Sequence, residues 1–201
     1  MYIYYRSIQR MKVIKRNGES EDVSFDKVLN RLKNLSKDLK IDVSEIAQKV
    51  CTRIYDGVKT TELDELAAHM CSSLSVENPE YSTLASRIII SNHHKNTSPS
   101  FSETIQILYN NKDVNGEPSP MVSDELYDVV MKNKEKLNSY MDYTRDYLFD
   151  YFGFKTLERA YLMRVNKKVV ERPQHLWMRV SIGIHGHDIR EVLQTYDLMS
   201  K

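Results

Sequence analysis

Between Ser24 and Lys95 apolar residues recur at spacings of three and four with few interruptions, the period of a helix with one face turned to a core. Val28, Leu32, Leu35 and Leu39 mark a first helix that Ser24 can cap. Asp42-Val-Ser-Glu45 resembles a capping box and opens a second, through Ile46, Val50 and Ile54 to Gly57 as a C′ glycine. Leu63, Leu66, Ala67, Met70 and Leu74 share one face of a third, starting after Thr60 or Thr61. Asn78-Pro79 starts a fourth, through Leu84, Ile88 and Asn92 towards Lys95. Ahead of these helices, Met11 to Ser24 reads as a β-hairpin turned at Asn17-Gly18.

The polar, proline-containing stretch Asn96 to Ser100 is the expected boundary. Beyond it the pattern predicts a short helix over Phe101–Asn110, a Gly/Pro loop over Asn115–Pro120 and a helix from Ser123 to Tyr140. A Tyr/Asp-rich stretch reaches Phe154, and helices follow over Leu157–Met163, Gln174–Ile184 and Asp188–Met199, with a tight turn at Asn166-Lys167. The fold class is therefore α+β and mainly α. The expected domains are an arm at residues 1–10, a first domain at 11–99 and a helical domain at 100–201, with Met11 an alternative start.

Composition narrows the function classes. The 29 basic and 28 acidic residues give a net charge of +1, which argues against a nucleic-acid backbone binder. No apolar run reaches the roughly 20 residues that span a bilayer, and Met1 to Arg10 lacks the pattern of a secretory signal. Cys51 and Cys71 form no C-x-x-C pair, read as small buried hydrophobes and suit a reducing cytosol.

Few residues suggest chemistry. Lys15 and Arg16 end the first strand, Lys27 lies in the first turn of the next helix, and Lys95 stands at the far end of helix four. A helix N-terminus with added lysines suits a polyphosphate. Ordinary solvated lysines have the same spacing, and spacing alone favours them. There is no P-loop or dinucleotide glycine motif. His93-His94 point about 100° apart on a helix, and His185 and His187 lack a third ligand nearby, so both pairs read as structural or surface residues. No metal cluster and no nucleophilic triad is identifiable.

Longer strings carry more. Val13-Ile-Lys-Arg-Asn-Gly18, Val23-Ser-Phe-Asp-Lys27, Tyr55-Asp-Gly-Val-Lys-Thr-Thr-Glu-Leu-Asp64 and Ala85-Ser-Arg-Ile-Ile-Ile-Ser-Asn92 together resemble the ATP-cone of class I ribonucleotide reductase large subunits. Ser119-Pro-Met-Val122, Lys136-Leu-Asn-Ser139, Tyr151-Phe-Gly-Phe-Lys-Thr-Leu-Glu-Arg159, Glu171-Arg-Pro-Gln-His175 and Met178-Arg-Val-Ser-Ile-Gly-Ile-His185 resemble the helical segment leading into that subunit's catalytic barrel.

The resemblance implies a β-hairpin or small sheet over a four-helix bundle, then a helical segment. It implies an allosteric site for ATP or dATP with Mg2+. Lys15 and Arg16 would contact the nucleotide from the strand, Glu21 to Lys27 would wrap it, Thr60 and Asp64 would lie near base and sugar, and Lys95 would complete the phosphate pocket. Lys59 and His94 are given no role. The implied partners are the radical-generating small subunit and large-subunit chains or a separate catalytic part, in the cytoplasm, without nucleic acid or membrane. The implied process is deoxyribonucleotide synthesis for DNA replication.

In the family the redox and radical cysteines come later than this stretch, and Cys51 and Cys71 match none of them. The expectation is thus an N-terminal allosteric portion, not active alone, with no catalytic residue and no redox cofactor. The alternatives are a stand-alone regulatory or decoy module, or the relic of a truncated reductase gene.

Overall fold

The computed structural model describes residues 11–201; the expected arm at 1–10 lies outside the described residues. The chain divides into two compact units, Met1–Asn92 and His93–Lys201. The division falls inside a helix, ahead of the polar stretch at 96–100.

In the first unit, β1 (Lys12–Ile14) and β2 (Ser20–Asp22) form the antiparallel hairpin, with Val13 opposite Glu21. Gly18 has φ 86°, which only glycine adopts without strain at such a turn. A third strand, β3 (Val58–Lys59), pairs parallel to β1 and completes the sheet in the order β2-β1-β3. Two residues carry too little pattern to announce a strand. Val23, Cys51, Ile54 and Val58 form the apolar layer beneath this sheet.

Four helices complete the unit: α1 (Phe25–Leu35), α2 (Ser44–Cys51), α3 (Thr60–Leu74) and α4 (Glu80–Asn96). Ser24 caps α1 by accepting from the Lys27 N–H, and the Asn78 side chain accepts from Glu80 N at the start of α4. Two expectations fail here. No capping box forms at α2, whose cap position is Val43, and Asp42 instead turns the chain by accepting from Ser44 N. The helix also ends at Cys51, so Gly57 is not its C′ residue. Gly57, at φ 81°, donates its N–H to Lys12 O and turns the chain into β3.

The helices pack through Leu32, Ile46, Val50, Ala67, Ala68, Leu84, Ala85 and Ile88, all buried. Arg87 of α4 donates to Leu35 O and to both oxygens of Asp38, holding that carboxyl down at about 2.

The second unit continues with α5 (Phe101–Tyr109), α6 (Asp124–Lys132), α7 (Lys134–Tyr140), a 3-10 helix (Tyr143–Leu148), α8 (Tyr151–Ala160), β4 (Arg164–Val165), β5 (Lys168–Val169), α9 (Pro173–His185) and α10 (Ile189–Ser200). The helix expected from Ser123 to Tyr140 is broken at Asn133, whose side chain folds back on Val129 O. The helix expected over Leu157–Met163 starts earlier, capped by Asp150. Asn166 and Lys167 both have positive φ and form the β4–β5 turn. Phe101, Ile105, Leu108, Val129, Val130, Leu137, Met178, Ile182, Val192 and Tyr196 make its core. No described helix is long and apolar enough to cross a membrane. Both cysteines are free and buried, and burial pushes the Cys71 thiol up to about 12.

Beside that core runs a buried polar network. His93 bonds Glu171 O at 2.9 Å, and Arg179 grips the fully buried Glu171 carboxylate at 2.6 and 3.2 Å. His94 meets Asp146 at 2.6 Å; Asp146 also accepts from Gln174, which accepts from Tyr196 OH. His175 accepts at Nδ1 from Arg172 N, so its Nε2 carries the proton towards Tyr143 OH. Every buried polar side-chain atom among the described residues is bonded, as the cost of an orphan requires.

Burial drives His93 down to about 4 and His175 well below the ordinary histidine value. An unfolded chain protonates both rings near pH 6.5, so it binds more protons than the folded one as pH falls. Stability of the second unit is therefore expected to drop from about pH 6.5 downward, by up to about 1.4 kcal/mol per pH unit for each ring. Thermal unfolding between pH 7 and 4.5 checks this, and His175→Asn should flatten the slope.

Candidate functional site

Strand pairing sets the site. Parallel pairing puts Ile14 opposite Lys59, so the end of β1 lies beside the start of α3. Lys59, the N-cap residue of α3, makes no side-chain cap bond, since an ammonium has no acceptor for the first N–H groups. Lys15 and Arg16 follow β1 directly, in the tight turn closed by Lys15 N to Glu19 O and Gly18 N to Lys15 O.

Two clusters of charge result. In the first, the Glu21 carboxylate takes Lys15 on one oxygen and Lys27 on the other. Both lysine side chains are well exposed, at 43 % and 69 %, while Glu21 is only 23 % exposed. In the second, Asp64 of α3 is held by two arginines. Arg31 of α1 bonds it with a fork, Nε to Oδ1 at 3.2 Å and Nη2 to Oδ2 at 3.3 Å. Arg16 reaches Oδ2 at 3.1 Å. The same Arg31 donates to Ser91 Oγ at 3.0 Å, and Arg16 donates to Asn92 Oδ1. Asn92 in turn donates to Thr61 O at 3.4 Å.

Of the expected residues, Lys15, Glu21 and Lys27 meet in one cluster and Arg16 and Asp64 in the other. Thr60 begins α3, half-buried, one turn ahead of Asp64 and on its face. Lys95 lies in the last turn of α4, within the second unit. Sequence reasoning missed Arg31, Ser91 and Asn92 as site residues. Arg31 stands four residues after Lys27, the spacing that puts both on one helix face, and that signal was available.

Four cations, Lys15, Arg16, Lys27 and Arg31, stand against three carboxylates, Glu19 (3.9 Å from Lys15), Glu21 and Asp64. Among the described residues no group of three His, Cys, Asp or Glu gathers to hold a metal.

The first unit is thus a three-stranded sheet joined to four helices, with two clusters of charge drawn from the hairpin, α1 and α3. Comparison with known families identifies the two parts: residues 11–96 match the ATP cone domain, and residues 147–201 match the all-alpha domain of ribonucleotide reductase. The chain belongs to the family of ribonucleotide reductase large subunits, corresponding to their N-terminal part. It is 51 % identical over 193 residues to the ribonucleoside-diphosphate reductase large subunit of Plasmodium falciparum (isolate Dd2), covering 95 % of this chain and 24 % of that one. Large chain 2 of Saccharomyces cerevisiae is 51 % identical, with 94 % and 22 % covered. The Arabidopsis thaliana large subunit is 50 % identical, with 95 % and 24 % covered. The chain thus spans about a quarter of the length of these relatives.

Removing the shared carboxylate takes from Arg16 and Arg31 the acceptor that both of them bond. Asp64→Ala is expected to destabilise the first unit by on the order of 2 kcal/mol. Urea unfolding at low and high salt checks this, with the loss shrinking as salt screens the two cations.

Proposed function

We propose that the first unit binds ATP or dATP as an allosteric effector, and that the chain thereby contributes regulation to ribonucleoside-diphosphate reduction in deoxyribonucleotide synthesis. The observation that supports this reading is the pair of charge clusters, Lys15–Glu21–Lys27 and Arg16–Asp64–Arg31, built from residues of the hairpin, α1 and α3. The triphosphate suits the exposed Lys15 and Lys27 and the N-terminus of α3. Magnesium accompanying the effector would be held chiefly by the phosphate oxygens, as is usual for a nucleotide's magnesium.

ATP and dATP differ only at the ribose 2′-hydroxyl. An effector shifts an equilibrium only as far as its affinity differs between the competing states. The discriminating contact must therefore be polar, close to the sugar and well fixed. Asp64 suits it, since a carboxylate accepts a hydroxyl hydrogen bond and this one is almost fully buried.

The states so regulated are assemblies of large-subunit chains with the radical-generating small subunit. The relatives' names speak of large subunits and chains, which is the support for that part of the reading.

Calorimetric titration of the full chain with each nucleotide tests the proposal. Saturable binding of both is expected; a folded chain that binds neither overturns it. Lys27→Ala should weaken both nucleotides alike, by about fivefold. Asp64→Asn should instead bring their affinities closer together, and an unchanged ratio would remove Asp64 from the sugar.

A further inference from the structure

We infer that Arg31, on α1, is the positioning residue that gives the site its sensitivity to the sugar, by fixing the carboxylate of Asp64 in one plane. The inference rests on the nucleotide reading above and adds a residue that reading does not contain.

Three observations carry it. First, Arg31 holds Asp64 through two parallel bonds, at 3.2 and 3.3 Å. A guanidinium fork fixes a carboxylate's plane as well as its place, which a single contact does not. Second, the guanidinium is itself anchored, because Nη2 also donates to Ser91 Oγ on α4 at 3.0 Å. Its side chain is 25 % exposed, so its geometry is set by protein more than by solvent.

Third, the acceptors are unevenly used. Among the described residues, Oδ2 accepts from both Arg16 and Arg31, whereas Oδ1 accepts from Arg31 Nε alone. Each carboxylate oxygen has two lone-pair directions. One direction on Oδ1 therefore remains for a hydroxyl donor, and the Arg31 fork decides where it points. A single contact to one oxygen, such as Arg16 to Oδ2, does not by itself fix the carboxylate's plane.

Charge and orientation come apart in one substitution. Arg31→Lys keeps the positive charge and loses the fork. Asp64 keeps its Arg16 partner in that variant, so the carboxylate is never left uncompensated.

The experiment titrates the 201-residue chain and its Arg31→Lys variant with ATP and with dATP by calorimetry, with thermal unfolding to confirm the fold. The ratio of the two affinities is expected to move at least threefold towards one in Arg31→Lys, while the affinity for the more weakly bound nucleotide changes less than twofold. Ser91→Ala, which loosens only the anchor of the guanidinium, should move the ratio in the same direction and by less. Lys27→Gln is the control: it lowers both affinities and leaves the ratio where it was.

An unchanged ratio in Arg31→Lys, or an equal loss for both nucleotides, overturns the role assigned to Arg31 and leaves the nucleotide site standing. A wild-type ratio of one overturns it as well. A folded wild-type chain that binds neither nucleotide overturns the functional reading itself, and this inference with it.

Discussion

One carboxylate joins the pieces of the first unit. Asp64 sits on α3, Arg16 follows β1 and Arg31 stands on α1, and all three meet at 3.1 to 3.3 Å. Ser91 and Asn92 add α4 through the same two arginines. Each partner is only partly exposed, so the pairing is screened less than a surface ion pair and is sensitive to the loss of any member. The sheet cannot lift from the helices without breaking it. A ligand that engages Asp64 or Arg16 therefore acts on the contact that fixes the sheet's place.

The second unit is organised by a different polar core. Asp146 and Glu171 are fully buried, yet each is bonded by side chains from neighbouring segments: His94 and Gln174 in one case, Arg179 in the other. Arg172 adds bonds to Thr97 and to the carbonyls of His94 and Thr97. Such a network adds little net stability over an apolar core, but a misplaced member is costly. His93 and His94, in the last turn of α4, are both members of this network.

Much of the fold was legible because the signals were local. The Asn17-Gly18 turn, the Ser24 and Asn78 caps and the Asn166-Lys167 turn each depend on a few adjacent residues, and each forms as expected. The strand β3 was not legible, since two residues gain their place only by pairing with β1. The break at Asn133 was hidden for a similar reason: the apolar spacing continues across it, while the backbone follows a side chain bonded to Val129 O. Gly57 looked like a helix cap because a glycine after apolar periodicity usually is one. Here the helix stops sooner, and the glycine serves the sheet.

The sequence by itself determined the class of the protein. The order of its strings assigns the cone and the helical domain of ribonucleotide reductase, and its periodicity assigns the helices. Those are properties of neighbouring residues and of pattern, which need no coordinates. The lysines were the limit of that reading, because exposed and ligand-binding lysines share one spacing. Tertiary structure alone decided that Glu21 lies between Lys15 and Lys27, and that Arg31 shares Asp64 with Arg16. The reason is geometric: these partners come from separate elements, and only packing the sheet on the bundle brings their charges within bonding distance.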